Sequence, residues 1–171
     1  MSTRCQIGFY KKGEKDLKKF QALIYKHSDG YPEGVLPILT PFLKEFNAKR
    51  GLNDIEYASA WCLHAIIQDH VLHNMEYMKE RKKDNWPSSM PEDGRDFLGH
   101  GICIGFHGDI EYFYAVYPDK LLVYETGYDK GPESWKKIKT IPLTDKVPTK
   151  GKTLTDVQGK ALRPDVLVQA K

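Results

Sequence analysis

The chain is poor in the features that usually announce a function. Its three cysteines, Cys5, Cys62 and Cys103, lie far apart and make no CxxC pair. An odd count without metal-ligand spacing offers neither a disulfide framework nor a zinc site, and fits reduced, buried thiols. No run of about 18 apolar residues occurs, so no transmembrane helix is expected. Met1 to Ile7 lacks the apolar region of a signal peptide and reads directly as structure. Both absences point to a cytoplasmic protein with no membrane partner.

Charge of one sign is missing as well. Lys and Arg number 26 against 23 Asp and Glu, leaving +3 with histidines neutral. A dedicated nucleic-acid binder shows a clear basic stripe, so nucleic acid is not an expected partner. No Walker loop, GxGxxG, HExxH or GxSxG is present. That weighs against nucleotide hydrolysis, dinucleotide binding, metalloprotease and esterase chemistry, and no cofactor is implied.

What is present is a foldable chain. Its 171 residues suffice for one domain with a real core. A hydrophobic fraction of 40% argues against disorder. Cys5, Ile7 and Phe9 alternate with Gln6, Gly8 and Tyr10, a period-two strand. Lys11 to Lys19 reads as a hairpin connection, and Phe20 to His27 as the returning strand. The turn Ser28 to Gly34 follows. Pro37 and Pro41 interrupt the next helical spacing, which predicts a helix from Pro41 to about Arg50 with Thr40 as its cap.

Asn53 and Glu56 form a candidate capping box for a long helix from Ile55 to about Lys82. Its basic end, Lys79 to Lys83, suits the helix dipole. Asp84 to Gly99 is a long loop. Ile102–Phe106 and Ile110–Tyr117 then read as a hairpin turning at His107-Gly108-Asp109. Strands at Leu121–Thr126 and Trp135–Ile141 complete the pattern. The expectation is an α+β domain over residues 1–143. It would have an antiparallel sheet of four to six strands packed on one short and one long helix. Residues 144–171 read as an extended or partly disordered C-terminal arm. Val166-Leu167-Val168 in that arm is a candidate for docking on a neighbouring subunit of a homo-oligomer.

Two stretches, Thr3-Arg4-Cys5-Gln6-Ile7 and Ile24 through Gly34, carry a resemblance. A Thr-Arg strand followed by a strand ending His-x-Asp-Gly-Tyr-Pro resembles an uncharacterised family of small phage and bacterial proteins. The likeness covers about the first fifth of the chain. It departs where Val35-Leu36-Pro37 stand in place of another glycine. It implies no chemistry but a setting, mobile elements, in which small domains interfere with host systems by binding something. For a phage-encoded chain the compartment would be the host cytoplasm.

Three groups of residues are candidate sites. In the first, strand pairing brings Arg4 near His27, with Asp29 and Tyr31 in the following turn. Arginine offers a rigid fork of donors for phosphate or carboxylate, and Tyr31 a face for a ring. The structural alternative has Asp29 capping the turn, pairing with Arg4, and Tyr31 packing on Pro32. The second lies on the long helix, where Leu63, Ile66, Ile67, Val71 and Tyr77 share a stripe. His70 falls inside that stripe and His73 at its edge. They read as metal ligands or a general base, or as a satisfied core imidazole; zinc needs three or four ligands. The third gathers Arg95, His100 and His107 with Tyr112 and Tyr114, where glycines allow a ligand close to the backbone. The leading expectation is a non-enzymatic binding protein that sequesters a small anionic, nucleotide-derived ligand of a host defence system. A histidine-dependent hydrolase or phosphodiesterase, and a protein-binding inhibitor of a host factor, stand as alternatives.

Overall fold

Every residue of the first strand, Cys5–Phe9, is buried. A strand covered on both faces and both edges sits at the centre of a sheet, and the rest of the fold is arranged around it. The computed structural model describes residues 2–83 and 99–143. The loop 84–98, with Arg95, and the arm 144–171, with Val166-Leu167-Val168, lie outside the described residues. The elements are β1 (Cys5–Phe9), β2 (Ala22–Lys26), α1 (Pro32–Lys49), α2 (Ile55–Lys83), β3 (His100–Ile102), β4 (Tyr112–Val116), β5 (Lys120–Glu125) and β6 (Lys136–Pro142).

The six strands run in the order β3-β2-β1-β4-β5-β6. β1 and β2 form the expected hairpin, Cys5 opposite Lys26 and Phe9 opposite Ala22. The sheet is nonetheless mixed, because β4 lies parallel to β1, Cys5 beside Tyr112 and Phe9 beside Val116. The expected hairpin between 102–106 and 110–117 does not form. β3 instead pairs with the outer edge of β2, so β2 and β1 separate it from β4. Crossing from β3 to β4 spans three strand spacings, about 14 Å at ~4.8 Å each. His107-Gly108-Asp109 belongs to that crossing rather than to a tight turn.

One face of the sheet carries Cys5, Ile7, Phe9, Ile24, Tyr114 and Val116 against α1 and α2. The other carries Tyr10, Leu23, Phe113, Ala115 and Tyr117 beneath Leu17, Ile110 and Trp135, which the connecting loops supply. The Trp135 ring lies tilted at 4.8 Å from that of Phe113 and edge-on at 5.1 Å from that of Phe106. The residues that alternate with Cys5, Ile7 and Phe9 along the first strand therefore face a second core.

α1 begins nine residues before the predicted start at Pro41, with Pro32 at its first position, where a missing N–H costs nothing. Pro37 and Pro41 sit inside it. They are one turn apart and both exposed, so the Glu33 and Pro37 carbonyls they strand face water. α2 starts at Ile55, which makes Asp54 rather than Asn53 the cap position; the Asp54 carbonyl accepts from the Ala58 N–H at 2.9 Å. Arg50 ties the two helices, 2.7 Å from Asp54 and 3.8 Å over the Tyr57 ring. The buried line of α2 is Ala58, Cys62, Ala65, Ile66, Asn74 and Met78, whereas Ile67 and Tyr77 are exposed. Half of that line is small, Ala58, Cys62 and Ala65, which lets the helix approach closely. No helix among the described residues is long and apolar enough to cross a membrane.

Candidate functional site

The Asp-Gly-Tyr-Pro stretch explains itself as a joint. Asp29 has φ 52°, a left-handed conformation that aspartate tolerates better than most residues. The Gly30 N–H donates to Thr3 O at 2.9 Å, and its carbonyl accepts from the buried Tyr114 hydroxyl at 2.8 Å. A Cβ on Gly30 would stand 2.7 Å from the Arg4 carbonyl carbon and 2.8 Å from the Cys5 nitrogen. Tyr31 is the extended residue ahead of α1, partly exposed, and Pro32 opens the helix. Asp29 and Tyr31 thus shape the turn that fastens α1 to β1. The ion pair considered between Asp29 and Arg4 is absent; Arg4 Nη1 donates to Asp109 Oδ2 at 2.7 Å.

Arg4 and His27 do meet other candidates, on the sheet face away from the helices. The β1/β2 register, extended one step beyond Cys5 and Lys26, sets Arg4 across from His27. The Tyr25 hydroxyl lies 3.1 Å from His27 Nδ1, and the Tyr25 ring 4.7 Å from the His107 ring. Burial pushes the Tyr25 phenol above its usual range; Asp109 adds to that and Arg4 opposes it, so both charges are close by. Gln6, fully buried, clamps the crossing loop from below. Its Nε2 donates to Gly105 O, and its Oε1 accepts from the His107 N–H, both at 3.1 Å. His107 Nε2 is 3.6 Å from Cys103 Sγ. Burial raises the Cys103 thiol, which works against a thiolate nucleophile there. The resulting patch is Arg4, Tyr25, His27, His107 and Asp109, with one guanidinium nitrogen spent on Asp109.

His100 belongs to the other face. It pairs with Lys26 across β2 and β3, and its ring meets the His70 ring edge-on at 4.9 Å. His73 is exposed on α2, one turn from His70. Among the described residues no three His, Cys, Asp or Glu side chains are grouped to hold a metal ion. Burial raises the Asp69 carboxyl on the same helix, opposed by the charges of Lys26, His73 and His70. Tyr114 is a core residue and Tyr112 a partly buried one.

Among the described hollows, one of about 210 Å³ between Ile110, Tyr112, Thr126 and Tyr128 holds the carboxylates Glu111 and Glu125. Those charges repel an anion. Sequence reasoning missed Gln6, Tyr25, Cys103 and Asp109 in the patch, and Lys26 and Asp69 behind it. The available signal was a polar residue inside an apolar strand, Gln6 in one and Lys26 in the other. No protein-family model matches the chain, and no curated protein or solved structure matches it.

Proposed function

We propose that the protein is a non-enzymatic binding protein that holds a small anionic, nucleotide-derived ligand on the patch around Arg4. The observation that carries this reading is the convergence of Arg4, Tyr25, His27 and His107 at one end of the sheet face opposite the helices. A guanidinium beside two imidazoles favours an anion, and the Tyr25 and His107 rings offer a flat surface to a base. Asp109 holds the guanidinium ready and is displaceable. The pair is 32% and 44% exposed, and such pairs contribute only about 0–1 kcal/mol. The resemblance to small phage and bacterial proteins supplies the setting, in which sequestering a signal would blunt a host defence.

The test is retention. The protein is incubated with a panel of linear and cyclic nucleotides, freed of unbound material, then denatured, and the released compound is identified. Intact nucleotide is expected from the wild type and none from Arg4→Ala, whose thermal midpoint should stay within a degree or two. Altered nucleotide would replace binding by catalysis. No retention by the wild type, or retention by Arg4→Ala, would remove the proposal.

A further inference from the structure

The two edges of the sheet are unlike. β6 forms one of them, and its Lys136, Lys137 and Lys139 are all exposed. A register irregularity at Val123/Tyr124 roughens that side further. Lysines and bulges along an edge keep other strands away. β3, at the opposite edge, is His-Gly-Ile and has neither device. The Cys103 N–H donates to Leu23 O, and Gly99 O accepts from the His27 N–H, both at 2.8 Å. Antiparallel alternation then turns the Ile102 N–H and carbonyl outward, away from β2. The Ile102 side chain is 78% exposed, and Ile104, where the chain leaves the strand, is 101% exposed. Among the described residues β3 pairs with β2 alone, so this edge is open, apolar and free of lysine.

The chain carries a segment of matching chemistry. Of the residues after Leu143, Val166-Leu167-Val168 is the one run of three apolar β-formers, and no proline or glycine follows Pro164. Lys160, Arg163 and Lys171 outnumber Asp165 around it. The lysines of β6 repel such a segment, whereas β3 does not. Length fits as well. Leu143 is fixed just past β6, its N–H donating to Asp119 O at 2.9 Å. Five strand spacings separate β6 from β3, about 24 Å at ~4.8 Å each. The 22 residues between Leu143 and Val166 span about 23–28 Å as a flexible linker and up to ~73 Å fully extended. The mean reach matches the width of the sheet, and the extended reach covers the way around it. Such a match maximises the effective concentration of the segment at the β3 edge. A second copy lacks that advantage, and a three-residue edge is too short to seat another whole sheet.

We propose that residues 165–169 pair with the outer edge of β3 in the same chain, as a seventh strand of the sheet. Main-chain bonds to Ile102 supply the attachment, and Val166 and Val168, on one side of the extended segment, cover its side chain. The pairing involves no part of the Arg4 patch and does not depend on what that patch binds.

Hydrogen exchange of the Ile102 amide in the full chain reads this out, since an outward N–H is protected only when a strand lies beside it. The wild-type amide should exchange at least tenfold more slowly than in a chain carrying Val166→Asp and Val168→Asp. Those substitutions lie outside the core and should leave the circular dichroism unchanged. A synthetic peptide of residues 161–171, added to that variant, should restore the protection. Wild-type protection should not change with protein concentration, and light scattering should give wild type and variant the same mass. A freely exchanging Ile102 amide in the wild type would overturn the inference. So would protection that survives both substitutions. Protection that rises with concentration, together with a mass that the variant loses, would assign the segment to a second copy and equally end the proposal.

Discussion

Replacing Gly30 by alanine puts the joint between β1 and α1 under direct strain. The added methyl would sit 2.7 Å from the Arg4 carbonyl carbon, 2.8 Å from the Cys5 nitrogen and 2.9 Å from the Cys5 Cβ. Two of these neighbours are backbone atoms of the central strand and have no rotamer to adopt. Relief requires the turn to lift away from β1, which stretches the Gly30 N–H bond to Thr3 and the Tyr114 hydroxyl bond to Gly30, now 2.9 and 2.8 Å. Overpacking alone costs about 1–3 kcal/mol, and each weakened hydrogen bond about 0.5–1.5 kcal/mol. A total of about 3 kcal/mol is expected, or roughly 6–12 °C in thermal midpoint for a chain of this size. Gly101→Ala is the control, because a Cβ there meets nothing within 4 Å; surface changes of that kind stay within about 0.5 kcal/mol. Thermal unfolding followed by circular dichroism compares the two. A Gly30→Ala midpoint within about 2 °C of wild type would refute the close approach, and with it the reading of the Asp-Gly-Tyr-Pro stretch as a joint.

Pro37→Ala should stabilise the protein by about 2 kcal/mol. It restores a helical hydrogen bond to Glu33 and removes a penalty of about 3 kcal/mol, less the entropy that proline takes from the unfolded chain. A lowered urea midpoint would mean that α1 is not helical through residue 37. Stability should also fall in alkali. Burial pushes the Cys5 thiol up to about 12 and, as the first cause, the Tyr117 phenol up to about 12; the Cys62, Tyr10 and Tyr114 groups are raised likewise. The unfolded chain releases these protons near 9 and 10, while the folded chain still holds them. Their contribution is therefore complete below about pH 9 and lost as pH rises towards 12, at up to about 1.4 kcal/mol per pH unit per group. Urea midpoints between pH 8 and 11 measure the loss, and a flat profile would contradict the burial of these groups.

The local pattern of residues determined the elements themselves. Alternation in Cys5–Tyr10, the turn residues after His27 and the unbroken stretch from Ile55 each act over a few neighbours, so β1, β2 and α2 were legible. So was the α+β class. The prolines of α1 misled because the cost of an interior proline is tolerated where the helix face is wet, and Pro37 and Pro41 are exposed. Whether a helix face is wet is a tertiary fact. The same holds for the sheet. Nothing local tells that β2 takes one edge of β1 and leaves the other for β4, so the parallel pairing and the separation of β3 from β4 emerged only on folding. That arrangement decided the candidate sites. Arg4, His27 and His107 came together with Tyr25 and Asp109 because odd and even residues of β1 and β2 face different cores. His100 was carried to the other side by its pairing with Lys26. Lys26 became a buried cation only when α2 was laid across β2.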